Sequence, residues 1–140
     1  MRLFLLVLWF GLSLAAPANA DDYASAISGY RHAHGLSAVK SDSRLATVAL
    51  NQARAMASTG TISHSAGGNF ATRVARLRKS RAAENIGAGY LSFAEMLREW
   101  KASTGHRANL LMMGARRVGV ASVANRKSPY RKFWALVITD

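Results

Sequence analysis

Hydrophobic periodicity changes once along this chain, and that change constrains the fold more than any other feature. From residue 22 to about residue 102, apolar side chains recur at three- and four-residue spacing between glycine-containing breaks. After Arg117 the pattern becomes two runs rich in Val, Ile and aromatic residues, RVGVASVA and YRKFWALVIT. The first period belongs to amphipathic helices, and β-branched runs separated by turn residues belong to strands. Several helices followed by a late sheet make an α+β protein built in layers.

The spacing predicts a helix over Asp22–His34, with Ala24, Ile27, Tyr30 and His34 along one face and Gly35 as its stop. Ser37–Ser43 reads as a loop. A second helix runs over Ser43–Thr59: Leu45, Val48, Ala49, Gln52, Ala53 and Met56 recur at helical spacing, and all but Gln52 are apolar. Asp42 or Ser43 can cap its start and Gly60 can end it. Thr61–Asn69 is a loop, and Asn69 can cap a short basic helix over Phe70–Lys79. Ala82–Tyr90 carries Gly87 and Gly89 and reads as an irregular strand or turn with close backbone approach. Ser92-x-x-Glu95 is a capping box. It opens a helix with Phe93, Met96, Leu97 and Trp100 on one stripe, and His106–Leu111 adds a short turn. Asn125–Pro129 has the chemistry of a hairpin connection between the two final runs.

The first twenty residues stand apart. Arg2 is the only charge before Asp21, an apolar run follows it, and Ala18 and Ala20 occupy the small-residue positions of a cleavage site. This is the pattern of a secretory signal peptide, so residues 1–20 are expected to be removed and 21–140 to form one domain. The apolar run is short of the ~20 residues that span a bilayer, and no later run reaches that length. The expected destination is the periplasm or the extracellular space, with no transmembrane segment after cleavage and a monomeric state.

Composition narrows the chemistry. There is no cysteine, which excludes disulfides, thiol catalysis and thiolate metal sites. Lys and Arg number 19 against 7 Asp and Glu, for a formal charge of +12. Such a field favours anionic polymers. Arg73, Arg76, Arg78, Lys79 and Arg81, with the pairs Arg116–Arg117, Arg126–Lys127 and Arg131–Lys132, could form a basic face. No nucleic-acid motif or stacking-aromatic pattern accompanies the charge, so specific nucleic-acid recognition is not expected. An anionic cell-envelope polymer fits an exported chain better.

Four histidines are present. His32 and His34 are two apart on one helix, point to different faces and are read as structural. His64, in ISHS, and His106, in STGHRANLL, lie in a loop and at a helix start, where functional groups collect. Glu84 is an isolated acid in an apolar, glycine-rich stretch, where a carboxylate normally has a partner. Two imidazoles and a carboxylate admit a metal site with an open position, a base with an orienting acid, or a structural hydrogen-bond network.

These segments, in this order, resemble the CAP superfamily, the secreted proteins named for cysteine-rich secretory, antigen 5 and pathogenesis-related members, and its small bacterial SCP-like branch above all. YRHAHGLSAVKSDSRLATVAL is similar to the opening helix, turn and second helix of that family. ARAMASTGTISHS is similar to the segment ending in its first histidine. AAENIGAGY, EWKASTGHRANLL and RRVGVAS are similar to its later blocks. The resemblance implies a three-layer α-β-α sandwich with a central antiparallel sheet, and a cleft with His64, His106 and Glu84 that could hold zinc. Where many family members carry a second Glu, this chain has Ser103. That departure undercuts an acid–base pair of carboxylates and leaves a His-His-Glu metal set open. Ser103 lacks a nucleophile elbow and is read as a helix cap lining the cleft. Asn85 is expected to bond backbone, Trp100 to be core, and Arg107 and Asn109 to fix the loop that presents His106.

The resemblance fixes no reaction. The expected function is an exported binding module with a His-His-Glu cleft for a divalent metal and a ligand. One alternative is a metal-dependent hydrolase of peptide, glycan or phosphodiester bonds, and another is an anionic-polymer binder. Lipid is a further ligand class, although the chain lacks the cysteines that brace lipid-binding loops elsewhere in the family.

Overall fold

The computed structural model describes residues 19–140. The leader expected over residues 1–20 therefore lies, apart from Asn19 and Ala20, outside the described residues.

Helix α1 spans Ala20–His32, two residues earlier at each end than the spacing predicts. Asn19 explains the shift: its side chain accepts from the backbone N–H groups of Asp21 and Asp22, and the Asp22 carboxylate accepts from the Asn19 N–H. A reciprocal box of this kind satisfies N–H groups that the first turn leaves free. Gly35, at φ +71°, turns the chain away beyond the last turn. His34 falls outside the helix, and the buried face is Ala24, Ile27, Ser28 and Arg31.

Strand β1 is only Lys40–Ser41, inside the segment predicted as a loop. Two residues carry no period, so the sequence gives no sign of it. Helix α2 spans Ser43–Thr59 between the Asp42 cap and left-handed Gly60, as predicted. Helix α3 covers Phe70–Val74 and continues as one 3₁₀ turn through Leu77, shorter than expected. Strand β2 is Ala82–Ala88, α4 is Phe93–Ala102 behind its Ser92 capping box, and α5 is Thr104–Leu110. Strands β3, Arg117–Asn125, and β4, Arg131–Thr139, form the predicted hairpin.

The strand order is β1-β3-β4-β2. Three strands pair antiparallel, and β1 pairs parallel with Arg117–Val118. The sheet is therefore mixed, which corrects the all-antiparallel expectation at its short edge strand. Segment 82–88 is also more regular than predicted: all seven residues pair with β4, from Ala82 opposite Thr139 to Ala88 opposite Phe133.

Strand β4 shows why both faces are covered. Trp134, Leu136 and Ile138 point to one side, where they pack with Ile27, Phe93, Met96, Trp100 and Leu110 from α1, α4 and α5. Phe133, Ala135 and Val137 point to the other, against Leu45, Ala49, Ala53 and Met56 of α2. A sheet buried on both faces needs a continuous apolar run, which is what FWALVI supplies. The result is the expected α-β-α sandwich. Gly119 sets how closely α2 approaches: a Cβ there would lie 2.1 Å from the Ala46 nitrogen, so the helix backbone rests directly on the strand.

Candidate functional site

Two groups of side chains meet along β2, one from each helical layer. On the α2 side, Glu84 is 5% exposed and acts as a hub. Its carboxylate receives both terminal nitrogens of Arg73, Nη1 to Oε2 at 2.7 Å and Nη2 to Oε1 at 2.9 Å. His64 Nδ1 lies 2.9 Å from the same Oε1. A carboxylate only accepts, so Nδ1 carries the proton, and a neutral His64 ring keeps its lone pair on Nε2. The His64 ring is well exposed, whereas Glu84 and Arg73 are not. Arg73 also donates to the carbonyls of Gly68 and His64, which ties the arginine to the loop that carries the histidine.

That loop is fixed from below by Gln52, the one polar residue on the buried stripe of α2. Its Nε2 donates to Ser63 O at 2.7 Å and its Oε1 accepts from Gly67 N–H at 2.9 Å. A buried amide that bonds two loop backbone groups costs little to desolvate and holds the loop in register. Arg73 and Gln52 were not singled out in the sequence as site residues. The only hint was Glu84 itself, whose apolar neighbourhood demanded a partner without saying which arginine would provide it.

On the other side, α4 and α5 present Trp100, Ser103 and His106. Asn85 Nδ2 donates to His106 O at 3.0 Å, and Asn109 Nδ2 reaches Asn85 Oδ1 at 2.8 Å and Glu84 O at 3.2 Å. Asn85 and Asn109 thus hold the start of α5 against β2, as the sequence suggests. Arg107, expected to share that task, is exposed. Trp100 is fully buried and donates Nε1–H to Ile86 O. Ser103 sits at the junction of α4 and α5, but its side chain makes no capping hydrogen bond, contrary to expectation. At the far end of α5, the buried guanidinium of Arg31 bonds the carbonyls of Leu110, Met112 and Ala115.

A cleft of about 280 Å³ opens here, lined by Ile62, Ile86, Gly87, Ala88, Tyr90, Met96, Glu99, Trp100, Ser103 and His106. Gly87 lets α4 pack close to β2, since a Cβ at that position would meet the Met96 thioether at 2.6 Å. Within it His106 Nδ1 is buried and has no hydrogen-bond partner. Burial, and then the charge of His64, hold the His106 imidazole below the ordinary histidine value, while Glu99 acts in the opposite direction. Attraction of the Tyr90 hydroxyl to the Glu99 carboxylate, followed by desolvation, raises the Tyr90 phenol. Glu99 and Tyr90 were also missed. Glu99 is one turn before Ser103 on α4, so it projects from the same side of the helix.

The expected metal set of His64, His106 and Glu84 fits poorly. Both Glu84 oxygens are engaged, and the Arg73 guanidinium already supplies the positive charge a cation would bring. Among the described residues, no three His, Asp or Glu side chains stand together as metal ligands. His32 and His34 are exposed on α1 and the turn after it, and play no part in the cleft.

The fold that carries these residues is a family architecture. The model of the CAP, or cysteine-rich secretory protein, family matches residues 24–138. The chain belongs to the CAP family. Among solved structures, an outer surface protein of Borrelia burgdorferi is similar at TM-score 0.74 and 18% identity, over 84% of this chain and 88% of that one. An extracellular SCP-domain protein of Bacillus anthracis is similar at TM-score 0.71 and 24% identity, over 89% of this chain. A cysteine-rich secretory protein of Staphylococcus aureus gives 0.66 and 19%, over 86% of this chain. This CAP domain spans only 45% and 37% of the latter two proteins. At these identities the likeness shows the fold alone. Comparison with curated proteins gives no match. No helix among the described residues is long and apolar enough to cross a membrane.

Proposed function

We propose that this CAP domain is exported and binds an organic ligand in the cleft beside β2, with His106 as the polar contact and the His64–Glu84–Arg73 network bracing β2 and the neighbouring loop. The observation that carries this reading is the His106 Nδ1 atom, buried without a partner in a site whose other buried polar side-chain atoms are paired. Such a group normally costs about 1–3 kcal/mol, a loss recovered when the ring turns Nδ1 toward a ligand in the cleft. Export is supported by the signal-like pattern of residues 1–20 and by the extracellular SCP-domain relative from Bacillus. The zinc-hydrolase alternative is weakened, because its carboxylate ligand is the one Arg73 holds. The test is an NMR fragment screen read at the His106 ring and the Trp100 indole. Compounds that move both signals, and lose their effect in His106→Ala, are expected. A folded protein in which no compound moves either signal overturns the reading.

A second reading concerns the surface. Lys40, Arg116, Arg117 and Ser37 line a separate depression of about 200 Å³ with no acidic residue in its walls. This supports binding of an anionic envelope polymer, although Arg73 is withdrawn from any basic face by its pairing with Glu84. Retention on heparin resin that falls steeply with salt is expected. Absent or salt-independent retention removes it.

A further inference from the structure

Acidic side chains are scarce in this chain, and nearly all are committed. Of the seven, Asp22 completes the box of α1, Asp21 accepts the Ser41 hydroxyl, and Asp42 caps α2 and pairs with Arg44. Glu84 is held by Arg73, Glu95 closes the box of α4, and Asp140 accepts from the backbone N–H groups of Ser80 and Arg81. Glu99 remains. Among the described residues it has no ion-pair partner within 4 Å, only the neutral Tyr90 hydroxyl drawn to it, and it stands on the wall of the cleft, over a floor of Ile86, Met96 and Trp100.

A small depression beside Asp42 holds no Lys or Arg, but two others are basic. Arg73 and Arg76 line one of them, and Lys40, Arg116 and Arg117 line another. No Lys or Arg lines the cleft beside β2. Of the nearby cations on α4, Lys101 is turned away over the Tyr30 ring, 4.6 Å from its centroid, and Arg98 is exposed outside the lining, although its charge reaches the Tyr90 hydroxyl at the cleft edge. The net charge of +12 does not forbid a cationic ligand, because exposed charges beyond a Debye length of about 8 Å are largely screened at physiological salt.

We propose that the cleft selects ligands with an apolar body and a protonated amine, the body against Ile62, Ala88 and the Tyr90 ring and the ammonium on Glu99, with the Tyr90 hydroxyl and Ser103 as neutral polar neighbours. The inference rests on the cleft being the ligand site, and it names the class of ligand that site takes. The structure gives Glu99 the place of a charged anchor on the same helical face as Ser103. At about 280 Å³ the space is near the small end of the ~300–1,000 Å³ typical of ligand pockets, which favours a single ring or short chain.

The experiment compares phenethylamine, 2-phenylethanol and 3-phenylpropionate, three probes of one shape and different charge, by NMR titration of the folded protein and of Glu99→Gln. The amine is expected to bind tightest and to lose about fivefold in Glu99→Gln, the size of a partly exposed ion pair, while the alcohol is unchanged. Equal or tighter binding of the carboxylate, or an amine affinity indifferent to Glu99→Gln, overturns the cation preference and leaves the cleft as a ligand site. If none of the three probes moves the His106 and Trp100 signals, the cation preference also fails, and whether other fragments still bind decides the fate of the site itself.

Discussion

The two sides of β2 are built on opposite principles. On the α2 side the buried polar atoms are paired: Arg73 grips both oxygens of Glu84, His64 shares one of them, and Gln52 fixes the loop beneath. On the α4–α5 side, His106 Nδ1 is buried and unpartnered, and Glu99 has no ion pair among the described residues. The first side is a finished internal structure and the second is unfinished. The lesson is that the acid most visible in the sequence, Glu84, works for the protein's own stability, and the inconspicuous one is left to meet something from outside.

The sharpest way to break this contrast is to remove Arg73. Arg73→Met strands the Glu84 carboxylate, 2% exposed at its side chain, and should cost about 3–5 kcal/mol in urea denaturation, as breaking a buried pair does. Adding Glu84→Gln to that variant should recover most of the loss, because the stranded charge is then gone. A small effect of Arg73→Met alone would mean the closed side is not a structural unit. Next in size is Asn109→Ala, which removes a shared donor from Glu84 O and Asn85 Oδ1. It should cost about 1–3 kcal/mol and shift the His106 backbone signals.

Acid tests the open side. The native His106 value lies below the ordinary 6.5, so on acidification the unfolded chain takes up this proton before the folded one does. Stability must therefore fall as pH drops through about 6.5 towards the lower native value, and level off below it. His106→Gln should flatten that part of the curve, measured by denaturation at a series of pH values. The smallest effect is expected for Glu99→Gln, within about 0.5 kcal/mol of the parent stability as for other exposed positions. The same change should move the NMR titration midpoint of His106 further down, because the Glu99 charge raises it. A large stability loss in Glu99→Gln would show that Glu99 belongs to the closed kind of structure after all.

The contrast also explains which parts were legible in the sequence. Helix α2, the boxed helix α4 and the terminal hairpin carry their own periods and caps, so each is readable from its own residues. Strand β1 and the regular pairing of β2 are decided by β3 and β4, which lie far along the chain, and no local pattern announces them. His64, Glu84 and His106 were legible by residue type, spacing and family resemblance. Their grouping was not, because Arg73, Gln52 and Glu99 look like ordinary surface or helix residues until the layers close. What weakens the metal set was hidden for the same reason: the competitor for the Glu84 oxygens is a single arginine drawn from a basic tract.

One feature of β2 reaches beyond ligand binding. This strand ends the sheet on its side, and a terminal strand with free backbone groups invites pairing with another chain. Here the outward carbonyls of Glu84 and Ile86 are occupied by the Asn109 amide and the Trp100 indole. The residues that shape the cleft are therefore also its guard against aggregation. Loss of Asn109 or Trp100 would uncover an adhesive edge in a chain with no disulfide to keep it folded.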